Sequence, residues 1–143
     1  MKIERVTEAS PELVEALARL LPQLSPGRET PTIAEVAEML EATGTSLFVA
    51  RDDDGAILGS LMLLVYRIPS GLKARIDDVV VDAAARGRGA GEALTRAAMA
   101  HAGAVGARIV ELSSNPKREA ANRLYQRLGF ERRETNVYVW RPH

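Results

Sequence analysis

The chain has no cysteine, which excludes a disulfide framework, a thiolate metal site and a catalytic thiol. Histidine occurs twice, at His101 and His143, too few for a metal cluster, so no metal is expected. No segment approaches the ~20 consecutive apolar residues of a membrane span. The opening MKIERVTEASPE lacks the apolar core of a signal peptide. A cytoplasmic protein with no membrane partner is the expectation. Net charge is also missing, because 19 basic side chains balance 19 acidic ones. Nucleic acid is held through a broad basic surface, so it is not an expected partner. The balance is nonetheless uneven: residues 1–71 hold 6 basic and 11 acidic residues, and residues 72–143 hold 13 and 8. The second half is the one prepared for an anion.

The length suits a single domain, residues 1–143. Ile3 to Thr7 reads as a short edge strand. Ser10 and Pro11 are an N-cap and first helical residue, and Leu13, Leu17, Leu20 and Leu21 repeat at helical spacing up to Pro22. After a turn-rich loop from Leu24 to Pro31, Thr32 caps a second helix with Ile33, Val36, Ala37 and Leu40 on its apolar side. Glu35, Glu38 and Glu41 form an acidic row, either a solvated face or a surface that attracts a cationic amine. From Ser46 the period changes. The turn Asp52–Gly55 joins two strands, and the second, Ile57 to Ile68, is apolar on both faces and therefore central.

Lys73 to Val81 is the next strand. A helix follows from about Gly89 to Gly103, with Ala90, Leu94, Ala97 and Ala98 inward. Ala107 to Leu112 is expected beside the Lys73–Val81 strand, parallel to it, through a right-handed crossover. Asn115 as N-cap and Pro116 at the first position start a final helix. Leu124 and Leu128 are its core side, and Gly129 and Phe130 its Schellman-type stop. Glu131 to Arg141 carries at least one more strand. The order is that of a mixed-sheet α/β fold.

Between the Lys73–Val81 strand and its helix lies Arg86–Gly91, RGRGAG. A helix N-terminus has backbone N–H groups without intrahelical partners and partial positive charge, so an anion suits it. The turn is not a Walker A loop, since no Lys-Ser or Lys-Thr pair is near. The Rossmann spacing G-x-G-x-x-G is absent too, and a hairpin precedes the turn. R-x-x-G-x-G does fit, spelled by Arg86, Gly89 and Gly91.

VVVDAAARGRGAGEAL, followed by SSNPKREAANRLYQRLGF from Ser113 to Phe130, resembles the GNAT superfamily of acyl-coenzyme A-dependent N-acetyltransferases. The resemblance covers almost the whole chain and is weakest in residues 1–45. It implies a mostly antiparallel mixed sheet of about six or seven strands flanked by about four helices. It also implies acetyl-coenzyme A as cosubstrate. The backbone amides of Arg86, Gly87, Arg88, Gly89, Ala90 and Gly91 would hold its pyrophosphate. Val79, Val80 and Val81 would lie beside the pantetheine arm, on a strand end splayed from its neighbour. Asn122 would contact the cofactor and Tyr125 would sit near the thioester sulfur. Asn115 would either line the cofactor or serve as a plain N-cap.

Acyl transfer from a thioester to an amine needs a neutral amine, a polarised carbonyl and a proton for the departing thiolate. Asn122 and Tyr125 are three residues apart and share a helix face. A tyrosine with a pKa of about 10 can protonate a thiolate whose pKa is about 8.5, which makes Tyr125 the expected general acid. Asp77 or Asp78 is the expected base, on opposite strand faces, with Glu111 next and solvent as the other option. The absence of cysteine excludes a cysteine-linked acyl-enzyme, and the chain is expected to work by direct attack of a bound primary amine, more readily a small cationic one. A protein or peptide amine is the alternative acceptor, and a non-catalytic acyl-coenzyme A sensor the alternative of another class. Tyr138 and Trp140 suit either an edge strand or a homodimer interface.

Overall fold

In the computed structural model, which describes residues 1–143, the strands β1 (Lys2–Val6), β2 (Thr45–Arg51), β3 (Ile57–Ile68), β4 (Gly71–Val81) and β5 (Val110–Glu111) lie side by side in chain order. The first four pair antiparallel, and β5 joins β4 parallel. Four α-helices accompany them: α1 (Pro11–Leu24), α2 (Ile33–Glu41), α3 (Ala90–Ala104) and α4 (Glu119–Arg127). By packing, the chain divides into two units, Met1–Ser113 and Ser114–His143.

Within the first unit, local chemistry explains each boundary. Asp52 Oδ1 accepts from the N–H groups of Asp54 and Ala56, turning β2 into β3. Ser10 Oγ accepts from the Leu13 N–H at the start of α1. Thr32 and Glu35 form a reciprocal capping box on α2, so one member of the acidic row is occupied by its own helix. The first helix outlasts Pro22, where the sequence stops it. Proline there costs one hydrogen bond, but the Ser25 N–H still reaches the Leu21 carbonyl and the Gln23 side chain covers the Arg19 carbonyl.

Alternation along β2 sends neighbouring side chains to opposite faces. Leu47 and Val49 join Leu13, Leu17, Leu20, Val36, Ile57 and Val80 in a core under α1 and α2. Phe48 instead meets His101 of α3 edge-on, with centroids 5.9 Å apart. The central, doubly covered position expected for β3 is found, as is the parallel β4–β5 pairing across α3. On α3 the buried residues are Ala90, Leu94, Thr95, Ala98 and Ala102. Ala97 is only half-buried, and Thr95 is tolerated inside because its hydroxyl donates to the Gly91 carbonyl at 2.7 Å.

In the second unit the expected strand within Glu131–Arg141 does not form, and no helix or strand follows α4. A β-prone run becomes a strand only when its backbone finds a ladder to join. Val137, Tyr138, Val139 and Trp140 are 66–87 % exposed. The sheet therefore has five strands rather than six or seven.

Gly59 sets how closely β3 approaches the end of β4. A Cβ there would lie 2.8 Å from the Val80 carbonyl oxygen and 3.3 Å from the Val81 Cα, so one strand must move. Gly59→Ala is expected to cost about 1–3 kcal/mol and to lower the melting temperature followed by far-UV circular dichroism. An unchanged melting temperature would show that the strands give way freely.

Candidate functional site

β4 pairs with β5 at only two positions, Ala74 with Val110 and Arg75 with Glu111. It then continues from Ile76 to Val81 without a strand on that side. Its other edge is interrupted by a bulge. Ser60 faces Val80 and Met62 faces Asp77, so Asp78 and Val79 stand opposite Leu61 alone. Asp78 is the one non-glycine residue with positive φ, +49°, a conformation that a short polar side chain tolerates better than most. The bulge breaks the regular alternation that would set Asp77 and Asp78 on opposite faces, and both are exposed. Asp77 accepts a hydrogen bond from Arg75 Nε at 3.2 Å, and Glu111 is ion-paired with Lys73. Of the three carboxylates considered as a base, Asp78 alone has no hydrogen bond or ion pair.

Val80 is turned into the core under α1, and Val79 and Val81 are half-buried. What these residues offer an extended ligand is therefore mainly backbone. Beyond Val81, Asp82 opens a 3-10 turn, Ala83–Ala85, that leads to Arg86. Gly87 and Gly89 have φ of +81° and +82°. Gly89 is the N-cap of α3 and provides no side-chain hydrogen bond, whereas α1 and α2 are capped by Ser10 and Thr32. The opening amides of α3 are thus left for an incoming acceptor. A Cβ built on Gly87 or Gly89 meets nothing within 4 Å, so the space over the turn is open. Arg86 and Arg88 are exposed and form no ion pair. Ala90 is buried at the first helical position and Gly91 is half-buried. Free amides, the positive end of a helix, two unpaired guanidiniums and an open approach fit a pyrophosphate.

Sequence reasoning missed what holds this turn. Arg19 Nε donates to Asp82 Oδ2 at 3.1 Å, and its Nη2 donates to the Ile57 carbonyl at 2.6 Å. Gln23 Oε1 accepts from the Ala83 N–H at 2.8 Å. Asp82 Oδ1 accepts from the Ala84 N–H at 3.1 Å. That backbone bond, helped by the Arg19 charge, holds the Asp82 carboxyl below the usual range. The only signals were an aspartate closing the strand and two polar residues four apart on α1.

In the second unit, Asn115 and Pro116 do not begin a helix. Asn115 Oδ1 accepts from the Lys117 N–H at 2.9 Å and its carbonyl accepts from the Arg118 N–H at 3.0 Å, which makes a turn. The helix starts at Glu119 with Arg118 as N-cap. Asn122 lies one turn in, and its Nδ2 donates to the carbonyls of Asn115 and Arg118, leaving Oδ1 as its open group. Tyr125, rather than Leu124 or Leu128, is the buried residue of α4. The Schellman stop forms as expected: Phe130 N–H to the Tyr125 carbonyl, Gly129 N–H to that of Gln126, with the Phe130 ring edge-on to Tyr125 at 5.9 Å. Burial pushes the Tyr125 phenol up, partly offset by the Arg118 charge. No three His, Asp or Glu residues are grouped to hold a metal, and no helix is long and apolar enough to cross a membrane.

Comparison with known proteins adds a family to this geometry. An uncharacterized N-acetyltransferase of Methanocaldococcus jannaschii is 44% identical over 61 residues, 43% of this chain and 27% of that protein. A putative acetyltransferase from Agrobacterium tumefaciens has 25% identity and a TM-score of 0.84 over 99% of this chain and 100% of its own. An aminoglycoside acetyltransferase from an uncultured soil metagenomic sample, solved with sisomicin, shares the fold at 21% identity and a TM-score of 0.86, over 99% of this chain and 95% of its own. The acetyltransferase (GNAT) family pattern matches residues 12–130, from the first turn of α1 to the Schellman phenylalanine, and the chain belongs to that family.

Proposed function

We propose that this protein is an N-acetyltransferase that moves the acetyl group of acetyl-coenzyme A to a primary amine, by direct attack with both substrates bound. The observation that carries this reading is the uncapped, glycine-lined start of α3 at the end of a strand that outruns its neighbour. The thioester of acetyl-coenzyme A supplies an activated acyl group and a thiolate leaving group. The amides of Arg86 to Gly91 bind the pyrophosphate, and Arg86 and Arg88 add charge. The backbone of Val79 to Val81 receives the pantetheine amides as an added strand would be received. Asn122 contributes its carboxamide oxygen to the cofactor, and Asn115 acts through the turn that Asn122 anchors.

Tyr125 donates the proton that the departing thiolate needs. Its raised pKa keeps the phenol protonated throughout the neutral range. Asp78, exposed and unpaired on the bulge, is preferred over Asp77 as the base that takes the amine proton, directly or through water. A small cationic amine is the favoured acceptor. The excess of acid in residues 1–71 and the aminoglycoside named for one structural relative support that choice over a peptide amine. The presence of Tyr125 and of the open glycine turn supports turnover over a sensor role. A cytoplasmic location and a homodimer go with this reading as further proposals.

Tyr125→Phe is expected to lower kcat about 100-fold with little change in the KM for acetyl-coenzyme A. Steady-state rates across pH check it, and a variant as fast as wild type at every pH removes Tyr125 as the acid. The same residue carries a stability signature. With its folded pKa raised, its contribution is intact below the unfolded value of about 10 and is lost as pH rises through the folded value. The alkaline fall in stability should therefore be shallower in Tyr125→Phe, as urea titrations above that pH would show. Gly89→Glu sets a carboxylate against the cradle and should weaken coenzyme A binding by about tenfold or more; unchanged affinity in calorimetry would sink the cofactor assignment. Thiol release with polyamines, amino sugars, aminoglycosides and peptide N-termini tests the acceptor. Release only with peptides overturns the small-amine reading, and release with none alongside tight coenzyme A binding favours the sensor.

A further inference from the structure

The turn that precedes the cradle does not hold itself. Its first residue, Asp82, is bonded to β3 by its N–H, which donates to the Leu58 carbonyl at 2.7 Å. The side chains that fix its direction come from α1, more than fifty residues earlier in the chain. Arg19 and Gln23 are four apart and so occupy one helix face. The Arg19 guanidinium spans two elements at once, donating to Asp82 Oδ2 and to the Ile57 carbonyl at the start of β3. Gln23 uses both ends of its amide: Oε1 accepts from the Ala83 N–H, while Nε2 donates to the Arg19 carbonyl. Asp82 completes the set by accepting from the Ala84 N–H. Three consecutive residues, Asp82 to Ala84, are thus pinned, with only Ala85 between them and Arg86.

We propose that Arg19 and Gln23 are positioning residues for coenzyme A, fixing through Asp82 and Ala83 the direction in which the Arg86–Gly91 amides converge on the pyrophosphate. This rests on the cofactor reading of that turn. The physical case is preorganisation: glycines at 87 and 89 leave the cradle loosely determined by its own sequence, so its rigidity is supplied from outside, and an anion bound by several amides at once depends on their fixed convergence. The apolar face of α1 is already buried against Val80 and Ile57, which gives Arg19 and Gln23 a firm base. Both act through the turn, Arg19 on Asp82 and Gln23 on Ala83.

Arg19→Met and Gln23→Met remove the tethers while keeping the long apolar stem, and Gln23→Glu keeps an acceptor for the Ala83 N–H. Coenzyme A dissociation constants by calorimetry, the KM for acetyl-coenzyme A, kcat at saturation and melting temperatures are the readouts. Each Met variant is expected to weaken coenzyme A about fivefold, the worth of one net hydrogen bond. The KM for acetyl-coenzyme A should rise with it while saturated kcat is kept, and Gln23→Glu should bind close to wild type. Unchanged coenzyme A affinity in both Met variants, with or without a lower melting temperature, makes the tethers a structural brace and overturns the proposal alone. Failure of the wild-type chain to bind coenzyme A overturns the cofactor reading and this proposal together.

Discussion

A strand that runs past its neighbour has backbone groups with nowhere to go. β4 is in that position: its parallel partner is spent after Arg75 and Glu111, yet β4 continues to Val81. Along this stretch Asp77 and Asp78 are exposed and Val79 and Val81 half-buried, so its free edge is open to solvent or to an added extended chain. The other features of the first unit are subordinate to this one. The Asp78 bulge reorients the exposed strand, Gly59 lets it approach β3, and the start of α3 lies where the strand ends. A longer β5 would close the same edge.

The fold was legible where the signal is local. Caps at Ser10 and Thr32, the aspartate turn at Asp52, the central apolar run of β3 and the glycine stop at Gly129 all act within a few residues, and each appears as read. Errors arose where a local signal was outweighed or left without a partner. Asn115 followed by Pro116 satisfies a helix start and a turn equally well, and the Asn122 amide, which donates to the Asn115 carbonyl, favours the turn. The run from Val137 to Trp140 has strand composition, but composition cannot supply the neighbouring ladder.

The candidate site divides along the same line. Its glycines and arginines announce themselves by spacing, because the turn they form is built from contiguous residues. Its supports do not, since Arg19, Gln23 and Asp82 meet only after α1 has docked on the sheet. Neither does the bulge, which exists only as a mismatch of register between two strands. Tyr125 was singled out by its pattern, although its burial was not: helical spacing suggested Leu124 and Leu128 for the inner side, and these are half-buried while the Tyr125 ring is buried.

The tail after α4 has an optical consequence. Trp140 is the only tryptophan in the chain and stands 84 % exposed among residues without regular structure. Its indole is already in water in the folded protein, so its emission carries almost no information about whether the sheet is intact. The same indole is a built-in reporter of its own segment. A blue shift in its fluorescence would mean that something has covered Val137 to Trp140, whatever the state of the remainder of the chain.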